Sequence, residues 1–164
     1  MNKKVIPFSP PDISELEISE VAEAMRSGWI TTGPRTKELE KRLSEYVHTN
    51  KTVCLNSATA AEEMNLHVLG IGEGDEVIVP AYTYTATASA VIHVGAKPVF
   101  VDSQKDGDPL THSPEMDYEA VEKAINERTK AIIPVDIGGI MCDYDKLYAI
   151  AEKKKDLFSE PLIL

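Results

Sequence analysis

The stretch from Thr52 to Asp102 constrains the fold more than any other part of the chain, because it alternates short β-branched runs with helix-forming segments. Val53-Cys54-Leu55 is short, apolar and flanked by polar residues, which predicts a buried strand. Asn56-Ser57-Ala58-Thr59 leads from it directly into a helix over residues 60–69. A strand-to-helix turn of this kind aims unpaired backbone N–H groups at one spot, with the positive end of the helix dipole behind them. An anion, most often a phosphate, can be held there. The unit then repeats. A glycine-rich connector, Gly70–Asp75, precedes a second strand at Glu76–Pro80. A helix is expected near Thr83–His93, closed by Gly95, and Pro98–Asp102 reads as a third strand. Strand, turn and helix joined by short connections call for an α/β fold, a parallel sheet with helices on both faces in three layers. Ligands of open sheets sit at the carboxyl ends of the strands, where the Ser57 turn and Tyr84 are expected.

The flanking segments are consistent with this plan. Val5–Pro11 is an extended, proline-punctuated arm. Asp12 or Ser14 caps a helix to about Ser27, with Leu16, Val21, Ala24 and Met25 as its apolar stripe. Pro34 opens a second helix to about Val47, with Leu39, Leu43 and Tyr46 on one side. Trp29 lies in the loop between them, as a packing residue for the two helices or as the border of a site. After the loop Ser103–Met116, Asp117 caps a helix to about Ile125, Ala131–Val135 is a strand, and a last helix spans about Tyr144–Lys155.

Composition removes several classes of function. A formal net charge of −10 with no basic patch speaks against binding nucleic acid or an acidic membrane. No apolar run approaches the roughly 18 residues of a membrane span, and Met1–Pro10 lacks the apolar core of a signal peptide. The two cysteines, Cys54 and Cys142, have no metal-ligand spacing. Cys54, inside a predicted strand, is expected to be buried and inert, and a reducing cytoplasm fits best. The four histidines are scattered without a partner motif. Gly70, Gly72 and Gly74 precede a strand instead of following one, so they cannot form a dinucleotide phosphate loop.

Several motifs carry a resemblance. They are Ser57-Ala58-Thr59, LGIGEGDEVIVP from Leu69 to Pro80, the Thr83-Tyr84 pair, GAKPVFVD from Gly95 to Asp102, and TKAIIPVDIGG from Thr129 to Gly139. Their order and spacing, from about Ile6 to Leu157, resemble the DegT/DnrJ family of pyridoxal-phosphate (PLP) dependent sugar-nucleotide aminotransferases. The resemblance implies the large domain of a fold-type I enzyme. On this reading residues 1–50 form an arm and helices, and residues 51–164 an incomplete PLP-binding domain, lacking the catalytic C-terminal part and the small domain. It further implies transfer of an amino group, from glutamate, to a keto-sugar nucleotide for polysaccharide or related sugar synthesis, by a homodimer.

PLP needs a cradle for its phosphate, an aromatic on its ring, an acid on its pyridine nitrogen and a lysine for its aldehyde. By resemblance, Ala58 and Thr59 offer N–H groups, and Thr59 a hydroxyl, to the phosphate, while Ser57 shapes the turn. Ser57 or Thr59 is equally suited to be an ordinary helix cap. Tyr84 occupies the position of the ring-stacking aromatic, and strand parity turns Tyr82 the other way. Asp102 stands at a strand end suited to a polar site, or caps the following loop. Asp136 replaces the histidine of many relatives, and a carboxylate there repels a phosphate-rich ligand unless it is paired. No lysine occupies the family's catalytic position, so the chain is expected to be inactive alone. The competing expectation is a non-catalytic truncated or half-protein that associates with a partner.

Overall fold

The computed structural model describes residues 6, 7, 9–105, 113–158 and 161–163. Val5, Phe8, His112 and the centre of the Ser103–Met116 loop lie outside them. The chain divides into two compact units, Met1–Cys54 and Leu55–Leu164.

The first unit holds helices α1 (Glu15–Arg26) and α2 (Pro34–Tyr46). Ser14 closes the start of α1 with a capping box: its hydroxyl accepts the Leu16 N–H, and its own N–H donates to Glu17 Oε2 at 2.6 Å. Between the helices, Trp29 Nε1 donates to the Thr32 carbonyl at 3.0 Å. Arg35 at the start of α2 pairs with Glu20 and Glu23 of α1. Neither helix buries a residue, so the apolar stripe Leu16, Val21 and Met25 is exposed.

Val53-Cys54-Leu55 is not a strand. An apolar run becomes one only if a neighbour accepts and supplies its ladder hydrogen bonds, and none does so here. Instead the Cys54 N–H donates to Glu40 Oε1 at 2.9 Å, Val53 is 56% exposed, and Cys54 is only half-buried.

The second unit is built on three parallel strands, β1 (Glu76–Pro80), β2 (Lys97–Val101) and β3 (Thr129–Ile132), in the order β2-β1-β3. Ile78 at the centre pairs with Val99 on one side and Ile132 on the other. Beyond β3 the chain adds Ile163, whose carbonyl accepts the Ile132 N–H at 2.9 Å in a parallel bridge to Ala131. All five residues of β1 are buried, as expected of a central strand covered on both faces.

Alternation along β1 separates two cores. Val77 and Val79 face α3 (Ala58–Val68) and α4 (Ala86–His93), packing with Leu66, Ala90 and Val91. Ile78 faces α5 (Tyr118–Ala124) and α6 (Tyr144–Lys154), packing with Val121, Leu147 and Ile150. The result is the expected three-layer α/β arrangement, with helices on both faces. The helix expected from Thr83 begins instead at Ala86, with Thr85 as its N-cap, because Ala81–Thr83 bends after β1 first.

Candidate functional site

The carboxyl edge of the sheet is formed where β1 and β2 end in register, Pro80 beside Val101. The Ala81 N–H donates to the Val101 carbonyl at 2.8 Å, which fixes the start of the segment after β1 against β2. Thr87, buried in the first turn of α4, meets Thr83 hydroxyl to hydroxyl at 3.2 Å, and its N–H reaches the Tyr84 carbonyl at 3.2 Å. These bonds hold the backbone around Tyr84, a residue that is 80% exposed. Tyr82 is exposed as well. Both tyrosines lie past the last residue of β1, so strand parity does not govern either.

Ser57 is the N-cap of α3, with extended backbone at φ −161° and ψ 159°, and its hydroxyl accepts the Ala60 N–H at 3.1 Å. The Ala61 N–H bonds to the Ser57 carbonyl. Among the described residues, the N–H groups of Ala58 and Thr59 have no acceptor. The first turn of α3 therefore keeps two donors unspent at the positive end of an 11-residue helix. An added Cβ at Gly72 or Gly95 would meet only ordinary contacts, so the connectors are shaped by turn geometry and not by a closely approaching group.

Asp102, just past β2, is occupied by its own loop. One carboxylate oxygen accepts the Ser103 N–H at 2.9 Å and the other the Lys105 ammonium at 2.8 Å. The lysine, then the backbone, hold this carboxyl below its ordinary range. Asp136 is paired too, with the Cys142 N–H at 2.8 Å and the Tyr144 hydroxyl at 3.1 Å. Burial pushes the Cys142 thiol up, away from reactivity. A cavity of about 280 Å³ lined by Ile71, Thr129, Lys130 and Ile163 opens at the amino edge of the sheet, away from these residues.

One group escaped the sequence reading. Glu62 Oε2 is buried and lacks a hydrogen-bond partner, and desolvation raises that carboxyl. It stands one helical turn before Leu66, on the buried side of α3. The next residue, Glu63, meets His93 Nδ1 at 2.5 Å. An acidic residue at i−4 from a core leucine was the available signal.

Comparison with known proteins decides the family. The model of the DegT/DnrJ/EryC1/StrS aminotransferases matches residues 11–158. The chain belongs to this family. The UDP-4-amino-4-deoxy-L-arabinose–oxoglutarate aminotransferase of Shewanella sediminis is 44% identical over 94% of this chain and 38% of its own length. The Bacillus subtilis spore coat polysaccharide biosynthesis protein SpsC is 40% identical over 90% of this chain and 36% of its own length. A Streptococcus pneumoniae protein named as a sugar aminotransferase, Spr1654, is 63% identical, with a TM-score of 0.86. It covers 94% of this chain and has been solved in PLP and pyridoxamine-phosphate forms. This DegT/DnrJ-family chain spans little more than a third of the length of these relatives.

Proposed function

We propose that this chain supplies the phosphate cradle and the ring-facing aromatic of a PLP-dependent sugar-nucleotide aminotransferase. The observation that carries the reading is the pair of unspent N–H groups on Ala58 and Thr59 at the capped start of α3. They are donors of the kind a dianionic phosphate takes up, and the Thr59 hydroxyl adds a third. Ser57 does not join them directly, because its hydroxyl is committed to Ala60; its part is to hold the turn open. Tyr84, 80% exposed past the end of β1, is the residue we assign to offset stacking on the ring. When bound, PLP supplies the electron sink and the amino-group carrier. The residues of this chain bind and orient it.

The donor in this proposal is glutamate and the acceptor a keto-sugar nucleotide destined for polysaccharide or related sugars. The full-length enzyme works as a homodimer, and Leu55–Leu164 is the first part of its cofactor domain. In this proposal no lysine of the chain serves the cofactor aldehyde, so the chain binds without turning over.

Absorbance spectra of the purified chain mixed with PLP, before and after borohydride reduction and dialysis, test this reading. Reversible binding is expected, weakened about tenfold by Thr59→Val through the lost hydroxyl bond, and severalfold by Tyr84→Ala. Absence of binding sinks the cradle. A band fixed by borohydride to one particular lysine, or amino transfer from glutamate by the 164-residue chain, sinks the claim of inactivity.

A further inference from the structure

The segment that follows β3 forms an arrangement that the cradle does not use. Strand register sets Ile132 level with Ile78, and the Ile133 N–H donates to the Ile78 carbonyl at 2.9 Å, so Asp136 follows the carboxyl end of β3, on the edge where β1 also ends. From there the chain turns through Gly138 and Gly139, at φ +63° and +81°, with the Ile140 N–H donating to the Ile137 carbonyl at 3.1 Å. It returns to Cys142, which is buried with its thiol 3.5 Å from the Val135 carbonyl, and enters α6 at Tyr144.

Asp136 ties the two arms of this turn together. Oδ1 accepts the Cys142 N–H at 2.8 Å, and Oδ2 accepts the Tyr144 hydroxyl at 3.1 Å. The neighbouring Asp143 N–H donates to the Tyr118 hydroxyl at 2.6 Å, which anchors the returning arm to α5 as well. Bonds to a carboxylate are stronger than neutral ones, and a turn with two consecutive positive-φ glycines has much conformational entropy to lose. Both oxygens accept hydrogen bonds inside the turn, so the carboxylate is engaged there and not by a ligand at the edge, although its two donors are neutral and it keeps its charge. What the turn does present is its tip, Ile140 and Met141, exposed at 45% and 67%.

We infer that Asp136 is a positioning residue of the ligand-facing edge, tying off the 136–142 turn so that Ile140 and Met141 stand as an apolar wall there. The inference rests on the proposal that this edge holds the cofactor.

The test uses the 164-residue chain and the variants Asp136→Ala, Asp136→Asn and Tyr144→Phe. Amide exchange of Cys142 is expected to speed up by on the order of tenfold in Asp136→Ala, which loses both acceptors, and much less in Asp136→Asn, which keeps one. Burial and the Asp136 bond hold the Tyr144 phenol above its ordinary range. Ultraviolet titration, with Tyr144→Phe as the blank, should therefore show Tyr144 ionising at lower pH in both Asp136 variants. Unchanged exchange in Asp136→Ala, or an unchanged phenol in both, overturns the tie. With PLP as probe, Asp136→Asn should leave affinity within about threefold, while Asp136→Ala weakens it. Tighter binding by Asp136→Asn would mean a free charge facing the phosphate, which overturns the inference. A chain that takes up no PLP in any variant overturns the cofactor edge itself, while the exchange data still report separately on the tie.

Discussion

Two glutamates, Glu76 and Glu62, show how environment sets the sign of a charge's contribution. Glu76 opens β1 with its side chain 5% exposed, and its carboxylate receives Asn126 Nδ2 at 2.7 Å, Arg128 Nη2 at 2.8 Å and Lys97 Nζ at 3.1 Å. The Asn126 bond first, then Lys97 and Arg128, overcome desolvation and lower it from 4.5 to about 2. A carboxyl depressed in the folded state stabilises fully above its unfolded value and loses that contribution as pH falls toward 2. The linkage is worth about 3 kcal/mol at neutral pH. Urea midpoints of Glu76→Gln should fall well below the parent near pH 7 and converge with it near pH 2; parallel curves would show that the network contributes nothing. Glu62 has the opposite sign. Its carboxyl is raised by burial, so folding is favoured as pH falls through the folded value, where the group becomes neutral. Glu62→Leu removes a buried, unpartnered oxygen and should stabilise by about 1 kcal/mol at pH 7. A loss of stability there would mean that the carboxylate has a partner in solution.

At the scale of elements, local signals predicted what local chemistry decides. The capping residues Ser14, Ser57 and Asp117 were legible because an N-cap satisfies its own helix. EVIVP was legible because a strand buried on both faces needs an unbroken apolar run. Val53–Leu55 misled for the converse reason: strand identity depends on a partner strand, and nothing in a three-residue run says whether one is in reach. The site divided in the same way. The Ser57 turn could be read as the start of a helix, though the strand expected before it does not form, whereas the pairing of Asp102 and Asp136 depends on Lys105, Cys142 and Tyr144 being folded back onto them. Ser57→Ala should cost about 1 kcal/mol through the lost cap, with Ser57→Asn restoring most of it. Thr59→Val should leave the denaturation midpoint unchanged, which separates cap from cradle. The α1–α2 loop gives a sharper case. A Cβ on Gly33 would come within 1.9 Å of Trp29 Nε1, so Gly33→Ala must expel the indole from its bond to Thr32. Because Trp29 is the sole tryptophan, a red-shifted emission reports it directly, and an unshifted spectrum would place the ring elsewhere.

At the scale of the whole molecule, two opposed surface properties set its behaviour in solution. Apolar side chains on α1 and α2, among them Leu16, Val21, Met25 and Leu39, are exposed, as is Phe100 on the β2 edge strand. Such surfaces favour association. The β2 edge is partly protected, since Pro98 has no N–H to offer a further strand, so the helix faces of the first unit are the stronger drive. Against them stands a net charge of −10, which repels like copies over a Debye length of about 10 Å at 0.1 M salt. At 1 M salt that length falls to about 3 Å, while apolar attraction persists. Sedimentation velocity should therefore show a single slow species in dilute buffer. In molar salt the sedimentation coefficient should rise with protein concentration, and Leu16→Glu combined with Met25→Glu should abolish the rise. A coefficient independent of concentration at both salts would mean that the exposed helix faces do not drive association. The same coefficient, growing in dilute buffer and shrinking in salt, would mean that ion pairs between copies hold an assembly together and that the apolar faces are bystanders.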